Sequence, residues 1–329
     1  MQGGWLRSAG EMAIRGSTPA VWQLTTGLPS GSYADVLVGH GVALVGPGDS
    51  GPWLAGRDGS LLRHVRRFAS EVREGDVLLL REGSSALKAI GLVAGPYQYL
   101  SQFDDVNGWD LQHGRRARWL ALPDAYDFGS PVFGSARFGK VEHSEVLPLA
   151  RQLLNSPPSD WQLRDLPELP AEEPELDDVP PSLAEVVALT QDLGGNLYWD
   201  EARFGGLPKE HEIVAHLVVP FLRALGWLPE QVAVEWRRTD AALFAVLPRT
   251  PANCRLIVEA KTLGDGLDLA LEQAKGYVDA TGAACDVLVT NGIRYRLHAR
   301  DREYTCVAYA NLAKPKRSAK DLFARLLRP

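Results

Sequence analysis

Residues 156 to 182 set the first limit on what this chain can fold into. From Ser156-Pro157-Pro158 to Asp177-Asp178-Val179-Pro180-Pro181 the stretch is dense in acids and prolines, and its single basic residue is Arg164. Proline removes backbone donors and like charges repel, so the segment cannot bury a core and favours an extended course. It divides the chain into an N-terminal domain, 1–155, an acidic proline-rich linker, 156–182, and a C-terminal domain, 183–329. With 329 residues, 45% of them hydrophobic, there is apolar material for more than one core. The net charge of −6 argues against nonspecific polyanion binding by the whole molecule. Most of that charge sits in the linker, however, so each domain is free to carry a basic face.

In the C-terminal domain the run Arg255-Leu-Ile-Val-Glu-Ala-Lys261 places an acid and a lysine on an otherwise apolar strand, and Asp240 precedes it. Two carboxylates supply hard oxygen ligands for a divalent cation, and an ammonium group beside them can orient water or offset developing charge. The same residues could decorate an ordinary sheet, and Glu-Ala-Lys alone is common. The surroundings add to the signal. Ile213, Val214, Leu217, Val218, Phe221 and Leu222 recur at helical spacing and stop at Gly226, with Glu210 one turn ahead on the edge of the apolar face. Strands are predicted over Val232 to Arg237, Ala241 to Leu247 and Arg255 to Ala260. A helix follows over Leu267 to Thr281, with Gln273 and Tyr277 four apart on one face. Asp286 to Thr290 and Arg294 to His298 read as strands joined by Asn291-Gly292.

Glu210, Pro220, Leu225-Gly-Trp227, Arg238-Thr-Asp240, Ile257-Val-Glu-Ala-Lys261, Gln273 with Tyr277, and Leu288-Val-Thr-Asn-Gly292 resemble the nuclease domain at the N-terminus of type I restriction enzyme R proteins, in the PD-(D/E)XK superfamily. The resemblance covers about residues 205 to 310. It implies an α/β core with a mixed central sheet, Mg²⁺ or Mn²⁺ held by Asp240, Glu259 and Glu210, assistance to the attacking water from Lys261, and phosphate contact or active-site support from Gln273 and Tyr277. No proline precedes Asp240, and no Walker-type loop follows, so the resemblance does not extend to an ATP-driven motor.

The N-terminal domain alternates strands and turns. Val21 to Leu24, Val42 to Val45, Asp76 to Leu80, Lys88 to Val93 and Arg116 to Leu120 read as strands, and Leu61 to Val72 as a helix. Such short strands suggest a small curved sheet or barrel. Trp22, Trp53, Tyr97, Tyr99, Trp109 and Trp119 are interleaved with arginines in Arg63-His-Val-Arg-Arg67 and His113-Gly-Arg-Arg-Ala-Arg118. Rings can stack on bases while guanidinium groups grip phosphates. Large aromatics are equally at home in a core.

Val21-Trp-Gln-Leu-Thr-Thr-Gly27, Val45-Gly-Pro-Gly48, Gly75-Asp-Val-Leu-Leu79, Ala89 through Tyr97-Gln-Tyr99 and His113-Gly-Arg-Arg-Ala-Arg-Trp119 are similar to EVE-like domains of the PUA superfamily. The likeness spans about residues 18 to 140. It implies a curved β-barrel with helices and an aromatic pocket for a base turned out of the duplex, usually 5-methylcytosine or a relative. Trp22, Tyr97, Tyr99, Trp109 and Trp119 are the candidates for pocket or wedge, and His113 and Arg115 for phosphate or base edge.

Together these features predict a two-domain α+β and α/β protein. It is expected to be a modification-dependent, type IV-like restriction endonuclease acting in phage defence, with double-stranded DNA carrying modified bases as its partner. One such site cuts one strand, so a double-strand break calls for a homodimer or two bound molecules. The competing readings are a binding protein whose nuclease fold is non-catalytic and a nuclease directed at RNA. No apolar run reaches membrane length and no signal peptide opens the chain. Cys254, Cys285 and Cys306 lack metal spacing, and the expectation is a cytoplasmic protein with free thiols. Gly46-Pro-Gly-Asp-Ser-Gly51 fits a dinucleotide-loop pattern, but no amphipathic helix follows it. His211 and His216 lie five apart, about 140° round a helix, and cannot easily share a metal.

Overall fold

The computed structural model describes residues 19–27, 32–53, 59–156, 162–163 and 165–329. The N-terminal half runs β1 (Val21–Thr25), α1 (Ala34–His40), β2 (Val42–Val45), α2 (Arg63–Ser70), β3 (Val77–Glu82), β4 (Ala86–Tyr99), β5 (His113–Asp127), β6 (Phe138–Lys140), α3 (Val146–Asn155) and β7 (Gln162–Leu163). The strands form one sheet in the order β2-β5-β4-β3-β1-β6, with β7 added to β5, and only β1 and β3 pair in parallel. The expected barrel is thus a curved half-barrel with β2 and β6 at its ends. Its bend arises on the long β4–β5 ladder, where the register shifts between Leu87 and Ala89 and again between Val93 and Tyr97. Pro96 sits in the second shift, where a residue without a backbone N–H does not break the ladder. Gly91 is required by contact, because a Cβ there would lie 2.6 Å from the Trp119 ring.

The C-terminal half runs α4 (Pro181–Leu193), α5 (Glu201–Phe204), a composite helix α6, β8 (Val232–Val234), β9 (Ala241–Phe244), β10 (Cys254–Ala260), α7 (Leu267–Thr281), β11 (Asp286–Thr290), β12 (Arg294–Ala299), β13 (Thr305–Asn311) and α8 (Ala319–Leu326). The sheet order is β13-β12-β11-β10-β9-β8, mixed because β10 and β11 are parallel. Helix α6 consists of α-helical Glu210–Ile213, π-helical Val214–Val218 and α-helical Val219–Ala224. Pro220 accounts for the wide middle turn: its ring would clash with the carbonyl four residues back in a regular helix, and a π turn relieves this. Strand β8 is shorter than its periodicity predicts. It stops at Val234, and residues 235 to 238 form a turn with Glu235, Arg237 and Arg238 in left-handed backbone.

Residues 173 to 177 of the acidic segment lie along the C-terminal half as a strap. Leu176 N donates to Pro315 O, Arg317 N donates to Pro174 O, and Glu173, Glu175 and Asp177 engage Ser318, Lys314 and Arg317. No helix among the described residues is long and apolar enough to cross a membrane.

One apolar core runs through both halves, from Trp22, Leu44 and Trp119 to Ile213, Leu217, Phe221 and Leu288. At the junction it encloses an ion-pair cluster. Arg294, at the start of β12, is fully buried and pairs with Asp49 at 2.8 Å and Asp110 at 3.5 Å, and its Nη1 donates to Gly108 O. The side chains of Asn291 and Asn311 also donate to Asp49. Burial pushes the Asp49 carboxyl up to about 6 against the opposing pull of Arg294. Removing one partner of such a pair strands a charge without solvent. Arg294→Ala should therefore lose about 3–5 kcal/mol of stability in denaturant unfolding. A loss under ~1 kcal/mol would mean the cluster is not fully enclosed in solution.

Candidate functional site

Strand alternation builds the acid site. Ile257, Val287 and Val289 pack against Ala270, Ala274 and Val278 of α7, whereas Leu256, Val258 and Leu288 belong to the opposite face with α6. Glu259 and Lys261 share the parity of Ile257, so both belong to the α7 face. Antiparallel pairing sets Val258 opposite Ala241, which brings the preceding Asp240 alongside Glu259. Its Oδ2 accepts a 2.6 Å hydrogen bond from Ala260 N. Glu210, at the start of α6, meets Lys261 at the strand end, where its Oε1 lies 3.6 Å from Lys261 Nζ. Helix α6 is seated against the Asn291-Gly292 turn, where a Cβ on Gly292 would fall 2.7 Å from Ile213 and Leu217.

Glu259 is the unusual member. It is 2% exposed, its Oε1 lies 2.9 Å from Lys261 Nζ, and its Oε2 is buried without a hydrogen-bond partner. Burial raises its pKa from 4.5 to about 7; the hydrogen bond from Lys261 opposes the shift and the charges of Asp240 and Glu210 add to it. Asp240 is also raised, chiefly by burial. Burial would pull the Lys261 ammonium down, but the hydrogen bond to Glu259 and the surrounding carboxylates outweigh it, and the net direction is up.

No group of three or more His, Cys, Asp or Glu side chains among the described residues is arranged to hold a metal ion. The expected cage of Asp240, Glu259 and Glu210 is therefore not preassembled. Lys261 stands between Glu259 and Glu210, which is where mutual repulsion of carboxylates calls for a cation. The donors still suit a hard divalent ion, because the orphaned Glu259 Oε2 is an oxygen ligand with nothing to bind. Gln273 and Tyr277 do share one face of α7, joined by a 2.8 Å hydrogen bond from Gln273 Nε2 to the Tyr277 hydroxyl. That bond lies on the exposed side of the helix, and no described contact links Gln273 to the acids.

The aromatics and arginines of the N-terminal domain separate into different roles. Trp22 is interior, not a pocket wall: its indole N–H donates to Asp76 and its ring stacks on Phe138. Trp119 is fully buried and donates to Val42 O. Trp109 lies at the junction of the halves, donating to Asp268 with the Arg137 guanidinium 4.2 Å from its ring centroid. Arg115 spends its guanidinium on the carbonyls of Phe68, Ala69 and Gly95, so it locks the end of α2 instead of reaching a phosphate.

Tyr97, Tyr99 and His113 do come together. The Tyr97 hydroxyl lies 2.9 Å from His113 Nδ1 and accepts from Trp53 N, and Tyr99 donates to Gly48 O. His113 Nε2 lies 3.0 Å from Pro47 O. Tyr99 and the fully buried His113 thus rest on the Gly46–Gly51 loop, whose Asp49 is the partner of Arg294, and Tyr97 joins them through His113. The sequence marks that stretch as a loop without a dinucleotide role and gives no signal for Arg294; a lone Asp in a glycine-rich turn gives no sign that its partner lies in the other half of the chain.

Residues 57–130 match a family model described as a domain of unknown function (DUF8426). No curated protein matches the chain. Among solved structures, the YTH domain of the Zygosaccharomyces rouxii MRB1 protein, in complex with N6-methyladenosine RNA, is similar at 9% identity over 44% of this chain and 92% of that one, with a TM-score of 0.31. A score at that level carries no conclusion about ligand, and the functional reading rests on side-chain geometry.

A raised carboxylate pKa means the fold favours the neutral form. The stability Glu259 contributes is fully present below its ordinary 4.5 and is lost as pH rises to about 7. Glu259→Gln should match the parent protein near pH 4.5 and exceed it at pH 8 by about 1–3 kcal/mol in denaturant unfolding. Parallel pH profiles for the two proteins would show that Glu259 is not buried as described.

Proposed function

We propose that this chain binds nucleic acid carrying a modified base and hydrolyses phosphodiester bonds at the Asp240–Glu259–Lys261 site with Mg²⁺ or Mn²⁺. The observation that carries the hydrolytic part is Glu259, a carboxylate interred at a strand end with one oxygen on Lys261 and the other unpartnered. Burying a charge without satisfying it is costly, and a structural ion pair gains nothing from the orphaned oxygen. Asp240 and Glu259 are the residues that would hold the ion, with Glu210 at the margin. A bound divalent ion would supply Lewis acidity toward the phosphate and lower the pKa of water. Lys261, kept protonated by its carboxylates, would orient the nucleophile and offset charge on the phosphate. Ala260 N fixes the carboxylate of Asp240 through its 2.6 Å hydrogen bond. Gln273 has no assigned step.

The binding part rests on the curved N-terminal sheet and on Tyr97 and Tyr99, the half-buried aromatic candidates left once the buried tryptophans and the fully buried His113 are removed. The second reading is binding without catalysis, and one observation favours it: the three carboxylates are not grouped as a ready metal cage. DNA with cytosine, 5-methylcytosine or 5-hydroxymethylcytosine, together with RNA of the same sequence, separates the possibilities when incubated with the full chain in Mg²⁺, Mn²⁺ or EDTA. Metal-dependent cutting that prefers a modified DNA is expected. Lys261→Ala should reduce cutting by ~100-fold or more while leaving binding within about twofold. Full activity of that variant would remove the site assignment, and tight binding of modified substrate with no cutting in either metal would establish the second reading.

A further inference from the structure

The turn leading into Asp240 is built in an unfavourable way. Glu235 (φ 54°), Arg237 (φ 48°) and Arg238 (φ 77°) all occupy left-handed backbone, and none is glycine. L-residues avoid that region because the Cβ crowds the backbone, and a turn needed only to reverse the chain would be served better by glycine. The conformation is nonetheless held firmly. Glu235 N donates to Asp240 O at 2.9 Å, Thr239 N and Oγ1 both donate to Trp236 O, and the Trp236 ring meets the buried Phe244 edge-on at 5.1 Å. Strain retained by surrounding structure clusters where side chains must be presented in fixed positions.

Two of those side chains are cationic and exposed. The Arg237 guanidinium lies 5.0 Å from the Trp236 ring centroid, and the Arg238 side chain has no ion-pair or hydrogen-bond partner among the described residues. They stand three and two residues before Asp240. An acid-lined site repels a phosphodiester, and Lys261 is already occupied by Glu259 and Glu210. Extra positive charge is needed where the strand enters, and the planar fork of arginine matches phosphate oxygens. Glu235 is the opposing charge in the same turn, and its effect is felt at Asp240.

We propose that Arg237 and Arg238 form a phosphate grip that seats a nucleic-acid strand beside Asp240. This rests on the reading of the acid site as one that acts on nucleic acid, and it assigns residues to strand capture separately from hydrolysis. The test is fluorescence anisotropy of the full chain with short fluorescein-labelled oligonucleotides, single- and double-stranded, in EDTA so that no cutting occurs. Arg237→Gly with Arg238→Gly suits the existing backbone and removes both guanidinium groups.

The double variant should bind about tenfold more weakly, with the slope of log affinity against log salt reduced by about 1–2, one unit per lost phosphate contact. Its unfolding midpoint should be equal to or higher than that of the parent, which separates lost binding from lost folding. Arg238→Lys should recover part of the affinity. Unchanged affinity and slope in the double variant would overturn the grip, as would a parent protein that binds neither oligonucleotide. Displacement of the oligonucleotide by low-millimolar inorganic phosphate would mark a small-anion site and overturn it too. A binding defect in the variant alongside a parent protein that never cuts in Mg²⁺ would uphold the grip and remove the hydrolytic reading.

Discussion

A guanidinium group with no access to water holds the two halves of this protein together. Arg294 has exchanged hydration for two carboxylates and a carbonyl, all contributed by the N-terminal half. The cost of burying such a pair falls as further hydrogen bonds are made to it, and Asn291 and Asn311 both donate to Asp49. The geometry leaves little slack. The Gly46–Gly51 loop is held on one side by Arg294 and on the other by Tyr99 and His113, so the aromatic cluster and the mixed sheet are referred to a common point.

The acid site is a different solution to the same problem of buried charge. Arg294 is paired with two carboxylates, although its Nη2 makes no hydrogen bond, whereas Glu259 keeps an oxygen unpaired and a carboxyl raised to about 7. Incomplete satisfaction is costly for stability and useful for chemistry, which is why perturbed carboxylates draw attention as candidate functional groups. The contrast lies within one sheet: Arg294 opens β12, and Glu259 lies near the end of β10, one strand removed across β11.

Much of this architecture was legible in the residues. Strand alternation predicted both sheets, and an acid followed by a lysine in an apolar run picked out Glu259 and Lys261. The four-residue spacing of Gln273 and Tyr277 put them on one helix face, where a hydrogen bond joins them. The rest depended on long-range geometry. Asp49 and Arg294 are separated by 245 positions, and nothing local ties one to the other. Trp22 and Trp119 sit in strands whose period two specifies a face without saying whether that face is core or surface, so a wall of a pocket and a member of the interior look alike. Arg115 reads as a phosphate ligand because carbonyl partners from α2 and the β4 bulge cannot be foreseen. The strand expected to run to Arg237 ended at Val234, because the closure of the turn by Glu235 and Asp240 outweighs the β preference of Val-Glu-Trp.

The shared apolar core carries a further implication. Trp119 of the half-barrel and Phe221 of α6 belong to one continuous interior. Splitting the polypeptide at its proline-rich strap would bare that interior on both fragments, so each would be sticky and poorly folded by itself. Melting should correspondingly take place as a single cooperative event, and exchange of either half for a foreign module by recombination would require the seam to be rebuilt along with it.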